Sequence, residues 1–328
     1  MSNVELPTSI SDLKVVVLAG GVGGAKMADG LAHLLPADNL TVVVNTGDDF
    51  EHLGLLVCPD TDSVLYAVAD AIDPERGWGR RDESWSVLNE LEALDGPDWF
   101  SLGDRDIALH LLRHAGLTEG KTLTAVTSEL AAALGIESMP IIPASDCPVR
   151  TFVCSAEDVL SFQEYFVAQR CAPRIDQIEY RGADRALPND HLLSFLEQGC
   201  DCLILGPSNP YLSLAPILAI SGMVEALAQA DTIVAVSPIV GGEAIKGPLA
   251  KIMGERHLEP SVGSWVQEMK TMYPGFIDLW VLDRRDAAFA EHLRARGDRV
   301  LVTDTVMTGT AKKIELVRQI LGDCARDV

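Results

Sequence analysis

V-V-V-L-A-G-G-V-G-G-A-K, residues 15–26, is the stretch whose reading decides the fold. Val15, Val16, Val17 and Leu18 are apolar and mostly β-branched, which reads as a buried strand. Gly20, Gly21, Gly23 and Gly24 follow at once, and a helical pattern from about Ala25 to Leu35 stops before Pro36. A strand, a glycine loop and a helix start together make an anion site. Glycines allow close backbone approach, and free amides at the helix N-terminus point at the anion. Lys26, in the first turn, adds positive charge. The loop is no Walker A motif, because Ala25 and Met27 stand where Gly and Ser or Thr belong. Nor is it G-x-G-x-x-G, because Lys26 takes the last glycine position. Two readings stay open: a nucleotide or phosphate cradle, or a tight turn that needs glycine for its backbone.

Working outward, the strand–loop–helix rhythm recurs. Strands are expected at Thr41–Val44, Ile141–Ile142, Leu203–Leu205, Thr232–Val236, Ile277–Val281 and Arg299–Val302, with weaker ones at Thr151–Cys154 and Phe162–Val167. Helices are expected at Ser63–Ile72, Ile107–His114, Thr124–Leu134, Arg285–Arg296 and Thr310–Leu321. Buried strands alternating with helices imply an α/β, doubly wound, Rossmann-like sheet, mostly parallel and covered on both faces. The rhythm breaks between about 75 and 200. Residues 1–74 and 200–328 are therefore expected to form a nucleotide-binding core, and 75–199 a mixed, mainly helical insertion or cap. Ligands of such folds sit at the carboxyl ends of the strands. The glycine-rich and acidic loops all fall there and should converge on one cleft.

Composition narrows the function. The chain has 328 residues, 48% of them hydrophobic, enough for a large core. A net charge of −22 argues against nucleic acid or an anionic membrane as partner. It also means that an anionic substrate needs a local cationic pocket. Seven cysteines without a C-x-x-C pair suit reduced thiols in a cytoplasmic protein. No signal peptide and no membrane-length apolar stretch is seen.

Four aspartates stand on two loops at strand ends: Asp48 and Asp49 in N-T-G-D-D (45–49), and Asp60 and Asp62 in C-P-D-T-D (58–62). Such a group suits magnesium, which in turn suits phosphate chemistry; alternatively, Asp62 caps the helix that follows. Asp104 is placed as an N-cap. Arg105 opposes the helix dipole there, which points to a ligand or a carboxylate partner. Ser208 and Asn209 in G-P-S-N-P (206–210) offer donors and acceptors for a base, ribose or phosphate. Ser237 and Gly241 in S-P-I-V-G (237–241), with Lys246, make a third such loop. His110 and His114 share a helix face but lack a zinc motif. Without a G-x-S-x-G elbow, a serine hydrolase is unsupported.

Together these motifs resemble the 2-phospho-L-lactate transferase family, with its phosphoenolpyruvate transferase branch, of coenzyme F-420 biosynthesis. The resemblance rests on A-G-G-V-G-G-A-K (19–26), V-V-N-T-G-D-D (43–49), C-P-D-T-D (58–62), R-G-W-G-R-R-D-E-S-W (76–85), L-G-D-R-D (102–106), P-A-S-D (143–146), G-P-S-N-P and S-P-I-V-G, in family order. It implies a magnesium-dependent transferase. A phosphoenolpyruvyl, 2-phospholactyl or 3-phosphoglyceryl group would pass from its GDP-activated donor to the ribityl hydroxyl of the deazaflavin Fo, releasing GMP. It also implies a homodimer working with a guanylyltransferase that makes the donor. Gly20, Gly21, Gly23, Gly24, Ser208, Asn209, Ser237, Gly241 and Lys246 would contact the nucleotide. Asp49, Asp60, Trp85, Asp104 and Arg105 would face Fo.

In the chemistry so implied, the hydroxyl attacks the phosphorus bearing the acid, in line, with GMP leaving. Magnesium on Asp48 and Asp62, with Lys26 and Lys246, would neutralise charge. Asp49 would take the proton, and Arg105 would stand near the transferred phosphate. The alternatives are a non-catalytic nucleotide-sugar-binding protein of the same fold and a nicotinamide dehydrogenase. The Asp-rich loops weigh against the first, and the broken glycine fingerprint against the second.

Overall fold

The computed structural model describes residues 10–244 and 247–325. Lys246 therefore lies outside the described residues. Seven parallel strands make the main sheet: β1 (Val15–Ala19), β2 (Leu40–Val44), β3 (Ile141–Pro143), β4 (Cys202–Leu205), β5 (Thr232–Val236), β6 (Leu279–Asp283) and β7 (Arg299–Thr303). Their spatial order is β7-β6-β5-β4-β1-β2-β3. The chain winds outward from β1 through β2 and β3 on one side and from β4 to β7 on the other. Along β1 the register runs from Val15 opposite Leu40 on one neighbour and Cys202 on the other.

Successive side chains of a strand face opposite ways, and here both faces are buried. Val16 and Leu18 enter one apolar core, Val15 and Val17 the other. This is why β1 reads as a continuous apolar run and not as an alternation. The first core holds Trp265 and Trp280, packed edge to face at 5.4 Å. The second is covered by helices α1 (Gly21–Ala32), α2 (Pro59–Val68), α3 (Asp104–Thr118), α4 (Leu123–Ala133) and α5 (Thr310–Cys324). A partly buried ion pair, Lys313 Nζ to Asp29 at 2.5 Å, joins α5 to α1.

The span 75–199 is divided in the structure. Its segment Ile141–Pro143 pairs with β2 and forms the edge of the main sheet. Arg150–Cys154, Val159–Ser161 and Gln177–Arg181 form a separate three-stranded antiparallel sheet. Phe162–Val167, expected as a strand, is instead largely a helical turn over Glu164–Ala168. The cause is local. Ser161 and Glu164 exchange hydrogen bonds, Ser161 N–H to Oε2 of Glu164 at 2.8 Å and Glu164 N–H to Oγ of Ser161 at 3.4 Å. This reciprocal S-x-x-E box starts a helix. Likewise α2 begins at Pro59, four residues before the expected Ser63, because proline is pre-organised for the first helical position. No helix among the described residues is long and apolar enough to cross a membrane.

Candidate active site

The winding direction reverses between β1 and β4, and crevices at such points take ligands in open α/β sheets. The two loops leaving these strands are locked together here. Ser208 Oγ donates to the Gly20 carbonyl at 2.8 Å, and Gly206 N–H to the Leu18 carbonyl at 3.2 Å. The glycines are what lets them meet. A Cβ on Gly23 would lie 2.1 Å from the Pro207 carbonyl oxygen, and one on Gly20 would lie 2.5 Å from Ser213 Cβ. Gly21 has φ +63, a left-handed conformation that glycine adopts freely. Its N–H, at the start of α1, donates to Asp60 Oδ1 at 2.7 Å. The glycines are thus required by backbone packing, and the first free amide of the helix faces the Asp60 carboxylate.

A cleft of about 820 Å³ opens over this junction. It is lined by Gly20 to Gly23, Lys26, Asp48, Asp60, Asp62, Pro207, Ser208, Asn209, Pro238, Gly247 and Pro248, so the expected convergence of the loops occurs. Asn209 caps its own turn through Oδ1, accepting from Tyr211 N–H at 3.0 Å, while its buried Nδ2 lacks a partner. Ser237 and Gly241 serve the third loop from behind. Ser237 Oγ donates to the Ile239 carbonyl at 2.9 Å, and Gly241 N–H donates to Asp286 at 2.9 Å.

The four aspartates separate into distinct environments. Asp48 Oδ1 and Asp60 Oδ2 both accept from Asn45 Nδ2, at 2.9 Å each. Burial and the mutual repulsion of the pair hold Asp48 well above the ordinary carboxylate range, and burial raises Asp60. Asp62, expected beside Asp48 as a magnesium ligand, instead pairs with the fully buried Arg113, whose guanidinium grips both carboxylate oxygens. Arg113 also donates to His110 Nδ1 at 2.9 Å. Burial pushes that imidazole down to about 4, so it is neutral. Asp49 turns away from the cleft. Its carboxylate is buried 3.7 Å from Arg150, without a hydrogen-bond partner, and burial lifts it to about 7 against the pull of Arg150 and Arg113.

Among the described residues no group of three His, Cys, Asp or Glu side chains forms a ready cage for a metal. Magnesium does not require one, since it is commonly held by one or two carboxylates with water and substrate phosphates. Asp48 and Asp60 meet that description: two buried carboxylates share one amide at the mouth of the glycine loop, and a divalent cation would relieve their repulsion.

A further wall is aromatic, made by Tyr66, Trp78 and Phe100 of α2 and the segment after it, while Phe162 and Phe166, stacked at 5.4 Å, line the cleft from the turn that follows Ser161. Three expected acceptor contacts, Trp85, Asp104 and Arg105, lie outside the lining and hold the wall from behind. Asp104 accepts from Ser84 Oγ at 2.7 Å, Val87 N–H at 3.0 Å and Ser86 N–H at 3.1 Å, capping the helix Ser86–Ala93. Those bonds hold its carboxyl down to about 2. Trp85 stacks under Arg76 at 4.5 Å. Arg105 N–H donates to Glu83 at 2.6 Å. The residues that do line the wall include Asp106, which accepts from Tyr66 Oη at 2.7 Å. Sequence reasoning missed Tyr66 and Asp106. The helical spacing of Asp62 and Tyr66 on α2, and of Asp106 and His110 on α3, was the available signal.

Comparison with known proteins places the chain in a family. The chain is 36% identical to the 2-phospho-L-lactate transferase of Methanosarcina barkeri over 308 residues, covering 94% of this chain and 97% of that one. It is 37% identical to the phosphoenolpyruvate transferase of Streptomyces griseus over 315 residues, covering 94% and 98%. Among solved structures, a UPF0052-family protein of Bacillus halodurans shares the fold, with TM-score 0.62 and 16% identity over 93% of this chain and 98% of that one. Residues 15–321 match the profile of 2-phospho-L-lactate transferase CofD, and the chain belongs to that family.

Proposed function

We propose that the chain transfers a phospho-acyl group from its GDP-activated form to the ribityl hydroxyl of Fo, releasing GMP and giving the (dehydro) F-420-0 product. The observation that carries this reading is the single cleft in which an anion-facing helix start, a carboxylate pair and an aromatic wall meet. Its volume, about 820 Å³, is within the ordinary range for small-molecule sites. The glycine loop with Ser208 and Asn209 is the nucleotide side, joined in this reading by Lys26 and Lys246. The wall of Tyr66, Trp78 and Phe100 is the side for a flat deazaflavin.

Transfer of this kind depends on positioning and charge neutralisation more than on a strong nucleophile. Asp48 and Asp60 would hold magnesium, which when bound neutralises phosphate oxygens. Asp60 replaces Asp62 in this role because Arg113 already occupies Asp62. Arg113 in turn keeps α3 fixed against α2, and so keeps the aromatic wall at its distance from the glycine loop.

The relatives divide between phosphoenolpyruvate and 2-phospho-L-lactate as the named acid, at nearly equal identity. The test therefore presents the purified protein with Fo, magnesium and each GDP-activated acid in turn, enolpyruvyl, lactyl and glyceryl, and weighs the products. A mass equal to Fo plus the phospho-acid less one water, with stoichiometric GMP, is expected for at least one donor. Nucleotide binding without GMP release from any donor would instead favour a non-catalytic binder. Asp48→Asn and Asp60→Asn are each expected to lower turnover at limiting magnesium by at least about tenfold, the equivalent of roughly 1.4 kcal/mol.

A further inference from the structure

Four carboxylates line the cleft, and three are already committed. Asp62 is gripped by Arg113, and Asp48 and Asp60 share the Asn45 amide. Asp106 is the fourth. It stands two residues after Asp104 on α3 and so points elsewhere, into the cleft rather than back to the helix Ser86–Ala93. Tyr66 Oη donates to its Oδ1 at 2.7 Å and fixes the rotamer. Its Oδ2 makes no hydrogen bond to any described residue. That oxygen lies 3.7 Å from where a Cβ on Gly79 would stand, beside Trp78 on the aromatic wall. Among the described residues two carboxylate oxygens of the cleft thus lack a protein donor, Asp48 Oδ2, which belongs to the pair that would hold magnesium, and Asp106 Oδ2, which lies beside the aromatic residues.

Resting on the transfer reading above, we propose that Asp106 Oδ2 accepts the proton of the acceptor hydroxyl. As the hydroxyl oxygen forms its bond to the phosphorus bearing the acid, the O–H bond breaks and the proton passes to Asp106. The bond from that phosphorus to the bridging oxygen breaks, and GMP leaves with the electron pair. Nothing is oxidised or reduced. The proton then leaves to solvent, restoring the carboxylate.

The other candidates are poorly suited. A carboxylate in a two-point ion pair with arginine is a weak base. A pair that holds a cation is weaker still, and Asp49, buried beside Arg150, does not reach the cleft. The surroundings of Asp106 suit the task. Burial, with the charges of Asp62 on α2 and Glu83, raises it to about 6 against the hydrogen bond from Tyr66 and the charge of Arg80. A base of that strength is ionised at neutral pH and still takes a proton effectively.

The test compares single-turnover rates across pH for the wild type and three variants, with Fo binding followed by its fluorescence and folding by melting temperature. Wild-type turnover carries the transfer reading, and once it is in hand Asp106→Asn decides the proton acceptor. The expected result is a 10²- to 10⁴-fold slower transfer with Fo affinity retained, and loss of the acid limb of the pH–rate profile. Tyr66→Phe should keep most of the rate but move the acid limb to higher pH, because a bond that favours the charged form is gone. If Asp106→Asn is poorly folded, Asp106→Glu restores the carboxylate and should recover a measurable rate with an acid limb. Transfer at the wild-type rate by folded Asp106→Asn, an unchanged acid limb in that variant, or an unmoved limb in Tyr66→Phe would overturn the proposal.

Discussion

The two walls of the cleft are built in opposite ways. The nucleotide side is made of strand-end loops that touch through backbone: Gly23 against the Pro207 carbonyl, and Ser208 on the Gly20 carbonyl. The acceptor side is made of side chains from α2, α3 and the segment between them, held by buried charge and by caps. The first wall leaves almost no room for substitution. The second distributes its stability over pairs that can be broken one at a time. Mutations should therefore cause collapse on one wall and graded, separable losses on the other.

The largest effect is expected at Gly23. A valine there would drive a Cβ into backbone 2.1 Å away, which cannot rotate aside. Gly23→Val should fail to fold as soluble protein, while Gly254→Ala, at a helical glycine with open space, should be neutral or stabilising by about 0.5–1 kcal/mol. Solubility and thermal melts report both. A folded Gly23→Val would show that the interlocked wall is softer than its contacts imply.

Next comes the buried pair of the other wall. Arg113→Ala leaves Asp62 charged in the interior and should cost about 3–5 kcal/mol in urea unfolding. It should also loosen the aromatic wall, weakening Fo binding more than nucleotide binding. Equal losses for the two ligands would contradict the division of the cleft.

A smaller, pH-dependent effect is expected at Asp106. Its folded pKa of about 6 lies above the ordinary 3.8, so the folded chain holds this proton more tightly than the unfolded chain. Stability therefore falls as pH rises from about 4 to 6, and the deficit stays constant above. The size is at most roughly 3 kcal/mol. Asp106→Asn should melt higher than wild type at pH 8, with the difference vanishing near pH 4. A variant that melts lower at both would mean that the Tyr66 bond outweighs the burial of charge.

The smallest contrast is between two tryptophans of one motif. Trp78 is 45% exposed and lines the cleft, whereas Trp85 lies outside the lining and stacks under Arg76. Trp78→Ala should weaken Fo binding with little change in melting temperature. Trp85→Ala should lower the melting temperature with little change in Fo affinity. The reverse pattern would exchange their roles.

The same contrast explains what the sequence made legible. The strand order and the loops at the strand ends follow from local signals: β-branched runs, glycine clusters, and Pro59 opening a helix. Those signals lead to Gly20–Gly24, Ser208 and Asn209. The acceptor wall depends on pairings far apart in sequence. Nothing near Asp62 announces that Arg113 will meet it, and nothing near Asp104 shows that it caps the helix Ser86–Ala93 and not its own. In the motif L-G-D-R-D the fold turns Asp104 and Arg105 toward Ser84 and Glu83 and leaves Asp106 facing the cleft. The S-x-x-E box at Ser161 starts a helical turn within a run of apolar residues whose pattern reads as a strand.

The position of β1 has a consequence for how the protein is made. Its second neighbour, β4, comes late: Lys14 N–H bonds to Asp201, 187 residues further on. Until the ribosome has delivered that segment, one edge of β1 has no partner. At about 5–20 residues per second the interval is roughly 10–40 s. An open, β-branched edge is the feature through which nascent chains associate wrongly. The strand that organises the nucleotide side is thus also the one most exposed during synthesis, and the chain should depend on chaperones most in the period before residue 205 emerges.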